Sequence, residues 1–80
     1  MPILFTVKEL INAENAITKE QGEKLYLEVE SIIKCNMKAV IDFTSIKSYS
    51  QAFRSASIDK LVKDLSPTTF KNKIEIRNLK

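Results

Sequence analysis

A short apolar run, "KAVIDF" at 38–43, sits between two segments of helical periodicity, and that arrangement restricts the chain to few folds. The run is too short for an ordinary helix, is rich in β-prone residues and is bounded by "CNM" and "TS", so it reads as a strand. Before it, Leu25, Val29, Ile32 and Ile33 recur at i, i+4, i+7 and i+8, which predicts one apolar face of a helix over 19–34. After it, Ile58, Leu61, Val62 and Leu65 recur at i, i+3, i+4 and i+7, with Phe53 and Ala56 extending the stripe backward. Ser66-Pro67 stops this second helix, because proline disfavours helical geometry in the residue before it and lacks an N–H.

Two further segments complete the pattern. "ILFTVKELI" at 3–11 reads as a strand with Ile3, Phe5 and Val7 on one side, ended by the polar "NAEN" at 12–15. "KIEIR" at 73–77 alternates cleanly, with Ile74 and Ile76 opposite Glu75 and Arg77. The order β-α-β-α-β implies parallel strands joined by right-handed crossovers. Strands covered on both faces would be apolar throughout, whereas the last strand is polar on one face and the first partly so. Both helices therefore belong on one face of a sheet ordered 1-2-3, a small α/β two-layer sandwich with a mainly parallel sheet. The other face carries Leu4 and Val40 among polar groups, which is compatible with a homodimer through that open face.

The first helix has a defined start. Thr18 precedes Gln21 by the capping-box spacing, in which the hydroxyl accepts from a free backbone N–H and the amide reaches back to the cap. Gly22, the only glycine, falls on the same apolar stripe one turn before Leu25. Glycine costs about 1 kcal/mol against alanine inside a helix, so its place on the packing face predicts close approach of another element.

Composition then excludes function classes. A chain of 80 residues is one domain spanning 1–80, and 44% hydrophobic with 29% charged residues is ordinary for a folded globular protein. The single Cys35 leaves no internal disulfide, and no apolar run of signal-peptide or membrane-span length is present, so the expected setting is reducing and cytoplasmic, without a membrane. With no histidine, no cysteine cluster at metal-ligand spacing and one glycine, the expectation is no catalytic residue, no metal and no cofactor. Net charge is +3, with six Lys/Arg over 60–80 against Asp64 and Glu75. Nucleic-acid binding through this basic end is an alternative function, ranked low because the charges lack the run of interleaved aromatic residues that a base-stacking platform needs.

Function in a parallel sheet belongs where strands end and helices begin. Residues 42–54 occupy that place: Asp42 ends the strand, Ser48, Tyr49 and Ser50 fill the loop, and Ser50 is the expected helix N-cap. A docking surface of Ser48, Tyr49, Ser50, Gln51, Phe53 and Arg54, with Asp42 beside it, is expected there, Tyr49 serving as the loop anchor.

"GEKLYLEVESII", then "AVIDFTSIKSYSQAFRSASIDKLV", then "FKNKIEIRNL" resembles the STAS-like family, a domain of unknown function related to sulphate-transporter and anti-sigma-factor-antagonist (STAS) domains. The resemblance spans about residues 17–79, and its most specific part is Asp42-Phe43 followed by Phe53, eleven residues after Asp42, at the head of a helix. It implies a small non-enzymatic module that switches a protein partner, such as a histidine-kinase-like ATPase. In anti-sigma-factor antagonists a serine at the start of this helix is phosphorylated by the partner. Here Gln51 and Ala52 occupy the two positions before Phe53, leaving Ser50, Ser55 and Ser57 as candidate acceptors. A second reading is a small stand-alone inhibitor, phage-borne, that uses the same surface to block a larger protein or nucleoprotein machine.

Overall fold

The structure, a computed structural model, describes residues 2–78. In chain order its elements are β1 (Pro2–Thr6), α1 (Val7–Ile11), β2 (Asn15–Ala16), α2 (Lys19–Lys34), β3 (Lys38–Asp42), β4 (Ser48–Tyr49), α3 (Gln51–Ala56), α4 (Ile58–Asp64), α5 (Pro67–Lys73) and β5 (Ile74–Arg77). The apolar run at mid-chain becomes the central strand, with the sheet ordered β1-β3-β5 and both pairings parallel. Ala39 aligns with Ile3 and Ile74, and Ile41 with Phe5 and Ile76, which sets one apolar face for the helices. Ala39, Ile41 and Ile74 share a single core cluster with Leu25, Val29 and Ile32 of α2, Phe53 of α3, and Ile58 and Leu61 of α4. The helices thus pack on one face, giving the two-layer α/β fold that the element order implied. Leu25 and Val29 are fully buried, and each such side chain contributes about 1.5–3 kcal/mol relative to an exposed one.

Helix α2 starts and stops by local chemistry. The Thr18 hydroxyl accepts from the Gln21 N–H at 3.1 Å, while Gln21 Oε1 accepts from the Thr18 N–H at 3.0 Å. At its far end Asn36 takes a left-handed conformation (φ 60°), a role more often filled by glycine, and the N–H groups of Asn36 and Met37 return to Ile33 O and Ile32 O. Gly22 is buried against α3 rather than against the sheet, with Phe53 O and Ala56 Cβ directly over it.

The structure corrects three sequence-based expectations. Residues 7–11 continue β1 as a helix rather than as strand, because Val7 and Ile11 lie one turn apart and both enter the core. The expected second helix is two, broken at Ser57, whose φ and ψ of −120° and −82° leave the helical region and whose buried hydroxyl donates to Phe53 O at 2.7 Å. Ser66-Pro67 ends one helix and starts another: Ser66 Oγ caps α5 by accepting from the Thr69 N–H, and Pro67 sits at the first turn, where no N–H is needed.

Val40 is also buried, yet it belongs to the opposite face, aligned with Leu4 and Glu75. Salt bridges from Lys38 (3.6 Å) and Arg77 to Glu75 lie on that face. Among the described residues no helix is long and apolar enough to cross a membrane.

Candidate functional site

The C-terminal ends of the three strands converge on a cleft of about 640 Å³. Asp42, at the end of β3, organises one side of it. Its Oδ1 accepts from Thr44 N (2.9 Å), Thr44 Oγ1 (2.6 Å) and Asn78 Nδ2 (2.8 Å), so the carboxylate joins the ends of β3 and β5. Phe43 N donates to Arg77 O at 2.9 Å and completes this junction. The Thr44 hydroxyl, the Asn78 amide and the Thr44 N–H hold the Asp42 carboxyl below the usual aspartate range. On the other side Glu14 pairs with Lys47 (3.2 Å) and Lys8 (3.7 Å), and its carboxyl is lowered chiefly by the Lys47 ammonium.

The loop expected over Ser48–Ser50 is in fact a parallel bridge. Ser48 and Tyr49 form β4 against Asn15 and Ala16 of β2, extended by Lys47 N to Glu14 O (2.8 Å) and Ser50 N to Ala16 O (2.9 Å). Ser48 Oγ donates to Asn15 Oδ1 at 2.9 Å. Ser50 is the N-cap of α3, as its position in the sequence implied: its Oγ accepts from Phe53 N at 3.1 Å, and its own proton goes to the carbonyl of Ile17. One hydroxyl therefore ties the first turn of α3 to the residue just before the N-cap of α2.

The structure sorts the sequence-derived residues. Ser48, Gln51, Arg54 and Ser55 are exposed around the start of α3, and Ser50 is half-buried beside them. Arg54 pairs with Asp59 at 3.6 Å. Tyr49 is half-buried and packs on the core, its ring 6.5 Å from that of Phe43. Phe53 is 1% exposed and meets Phe43 edge-on, so it supports α3 from within. Ser57 is fully buried and cannot carry a phosphate without opening the α3–α4 junction. Asp42 makes its hydrogen bonds at the cleft, with Thr44 and Asn78. The cations of the basic end are spread over three elements: Lys60 lies over the Tyr26 ring, Lys73 bonds to Asn36 and Arg77 pairs with Glu75. Leu79 and Lys80 lie outside the described residues.

Sequence reasoning missed Ile17, which is 47% exposed next to Ser50. Its signal was present: Ile17 holds the position before the N-cap, where an apolar residue ordinarily staples onto the fourth helical residue. That residue is Gly22, which offers no side chain. Lys8, Glu14, Lys47 and Asn78 carried no such signal, since only the fold brings them to one cleft.

A search of curated proteins and of solved structures found no match. A family model described as a STAS-like domain of unknown function (DUF4325) matches residues 21–80, from the first turn of α2 onward. That match takes in β3, α3 and the Asp42–Phe53 segment and covers three quarters of the chain, which therefore belongs to the STAS-like family.

Proposed function

We propose that this chain is a non-enzymatic regulatory module that docks a protein partner where α2 and α3 begin, and that the partner is a histidine-kinase-like ATPase. The observation that carries the reading is the double role of Ser50, which caps α3 and holds Ile17 through one hydroxyl. Around it lie an exposed apolar side chain (Ile17), a half-buried aromatic one (Tyr49) and the exposed polar groups of Ser48, Gln51 and Arg54. Such a mixture of a small apolar centre and a polar rim suits reversible protein contact. The partner class is drawn from the resemblance of STAS-like domains to anti-sigma-factor antagonists, and nothing else supports it.

Ser50 is also the acceptor that best couples a charge to a shape change. A phosphate there has no proton to give Ile17 O and sets a dianion against a carbonyl oxygen, so residues 15–18 are released from 47–50. Ser55, exposed on α3, is the second candidate; its modification changes surface charge without touching that tie.

The test takes the partner captured by the full chain, identifies it, and measures its affinity for purified wild type, Gln51→Arg and Arg54→Glu. Each variant is expected to bind about tenfold or more weakly, the effect of losing a hot-spot contact. A partner that binds all three equally overturns the docking site.

A further inference from the structure

The cleft at the C-terminal ends of the strands, about 640 Å³, has the size of a small-molecule site, and docking at the helix starts leaves it unused. Its walls come from four segments: Lys8 of α1, Glu14 before β2, residues 43–47 after β3, and Asn78 after β5. The two ends of the cleft differ in chemistry. At one end the Thr44 hydroxyl and the Asn78 amide give their protons to the Asp42 carboxylate, and Asn78 Nδ2 also donates to Thr44 Oγ1 at 2.9 Å. Both Nδ2 protons are spent, so this end keeps acceptors beside a carboxylate. At the other end one carboxylate lies between two ammonium groups: Glu14 Oε1 is 3.7 Å from Lys8 Nζ, and Oε2 is 3.2 Å from Lys47 Nζ. Neither lysine has another ion-pair partner among the described residues, so the lining carries two cations against one anion. Ser45 lines the same cleft in the left-handed region (φ 69°), and Ile46 and Phe43 add apolar surface.

We propose that this cleft binds a small organic monocarboxylate, which takes the place of Glu14 between Lys8 and Lys47 and lays an apolar body against Ile46 and Phe43. Glu14 is the internal stand-in for the ligand, since it already offers one carboxylate oxygen to each ammonium. Its side chain is 45% exposed, so displacing it into water costs little, as an exposed ion pair is worth little. The ligand regains the same two charge-assisted contacts and adds buried apolar area, which Glu14 does not. The backbone bond from Lys47 N to Glu14 O holds the segment in place during the exchange. The acceptors and the Asp42 charge at the far end repel a second anionic group, which selects a single carboxylate over a diacid. Inorganic phosphate reaches the ammonium groups but brings nothing to cover Ile46. None of this involves a protein partner, so the cleft and the docking surface are tested separately.

Amide chemical shifts of the full chain, titrated with sodium benzoate at constant ionic strength, test the site. Saturable shifts are expected at Lys8, Glu14 and residues 44–47, with weaker binding of acetate, which lacks the apolar body, and of terephthalate, which carries a second carboxylate. Lys47→Gln is expected to weaken benzoate binding about threefold or more, the range of an exposed ion pair. Glu14→Gln is expected to tighten it by about the same factor, because the competing carboxylate is gone. A Glu14 that merely shapes the cleft gives the opposite sign. Lys71→Gln, exposed on α5 away from the cleft, should leave binding unchanged. Shifts that never saturate, or that spread over surface lysines in general, overturn the proposal. So does Glu14→Gln weakening the binding, or inorganic phosphate binding as tightly as benzoate. Should Lys47→Gln fail to fold, Lys8→Gln and Glu14→Gln decide the matter.

Discussion

Gly22 of α2 lies directly under the carbonyl of Phe53 in α3: a Cβ on Gly22 would stand 2.6 Å from that oxygen and 2.8 Å from Ala56 Cβ. Alanine at this position gains about 1 kcal/mol of helix propensity, but the nearest obstacle is backbone, and relieving it displaces α3. Overpacking of this kind costs about 1–3 kcal/mol, so Gly22→Ala should lower the urea midpoint and Gly22→Leu lower it further. A midpoint unchanged or raised in Gly22→Ala would mean that the two helices can part without loss.

Tyr49 changes role between sequence and structure. As a loop anchor its removal would leave stability untouched; as a half-buried ring beside Phe43 it is part of the packing under α3. Tyr49→Ala should therefore cost about 1–2 kcal/mol, below the range for a fully buried aromatic residue. Thermal unfolding checks this, and a melting temperature equal to wild type would return Tyr49 to the surface.

Two substitutions at Ser50 separate capping from tethering. Ser50→Ala removes both hydrogen bonds and should cost about 1 kcal/mol, the usual loss for an N-cap. Ser50→Asp still caps α3, yet its carboxylate opposes the Ile17 carbonyl instead of donating to it. Amide exchange should then quicken at Lys47 and Ser50, whose N–H groups bond to Glu14 and Ala16, while the centre of α3 stays protected. Unchanged exchange at both amides would remove Ser50 as a switch.

Acid stability should depend on Asp42. Its folded carboxyl titrates below the unfolded one, so its contribution is present above the ordinary aspartate range and is lost as pH falls through the lowered folded value. Asp42→Asn should flatten the decline of stability on acidification relative to wild type, leaving the parts due to Glu14 and Glu75, both also lowered. Parallel curves for the two proteins would show that Thr44 and Asn78 do not favour the ionised form.

Much of this architecture was legible because it rests on periodicity and local chemistry. The stripe of α2, its Thr18–Gln21 box, the apolar β3 and the alternating β5 each announce themselves within a few residues, and their order dictates a parallel sheet. α1 was misread although Val7, Leu10 and Ile11 already have helical spacing; the β-prone residues before them carried the reading past Thr6. β2 and β4 have two residues each, too few for any period to show. The junction of Asp42 with Asn78 joins groups 36 positions apart and exists only once β3 and β5 are neighbours. Ser57 was hidden for another reason: a serine within an apolar stripe gives no sign that its hydroxyl will turn inward and break the helix.

The most direct test of the account is amide-exchange mapping of the full chain with and without its captured, purified partner. Docking at the paired helix starts predicts new protection over 17–21 and 47–55, with the β5 and α5 amides unchanged. Protection confined to 71–77, or to the open-face residues of β1, β3 and β5, would contradict it.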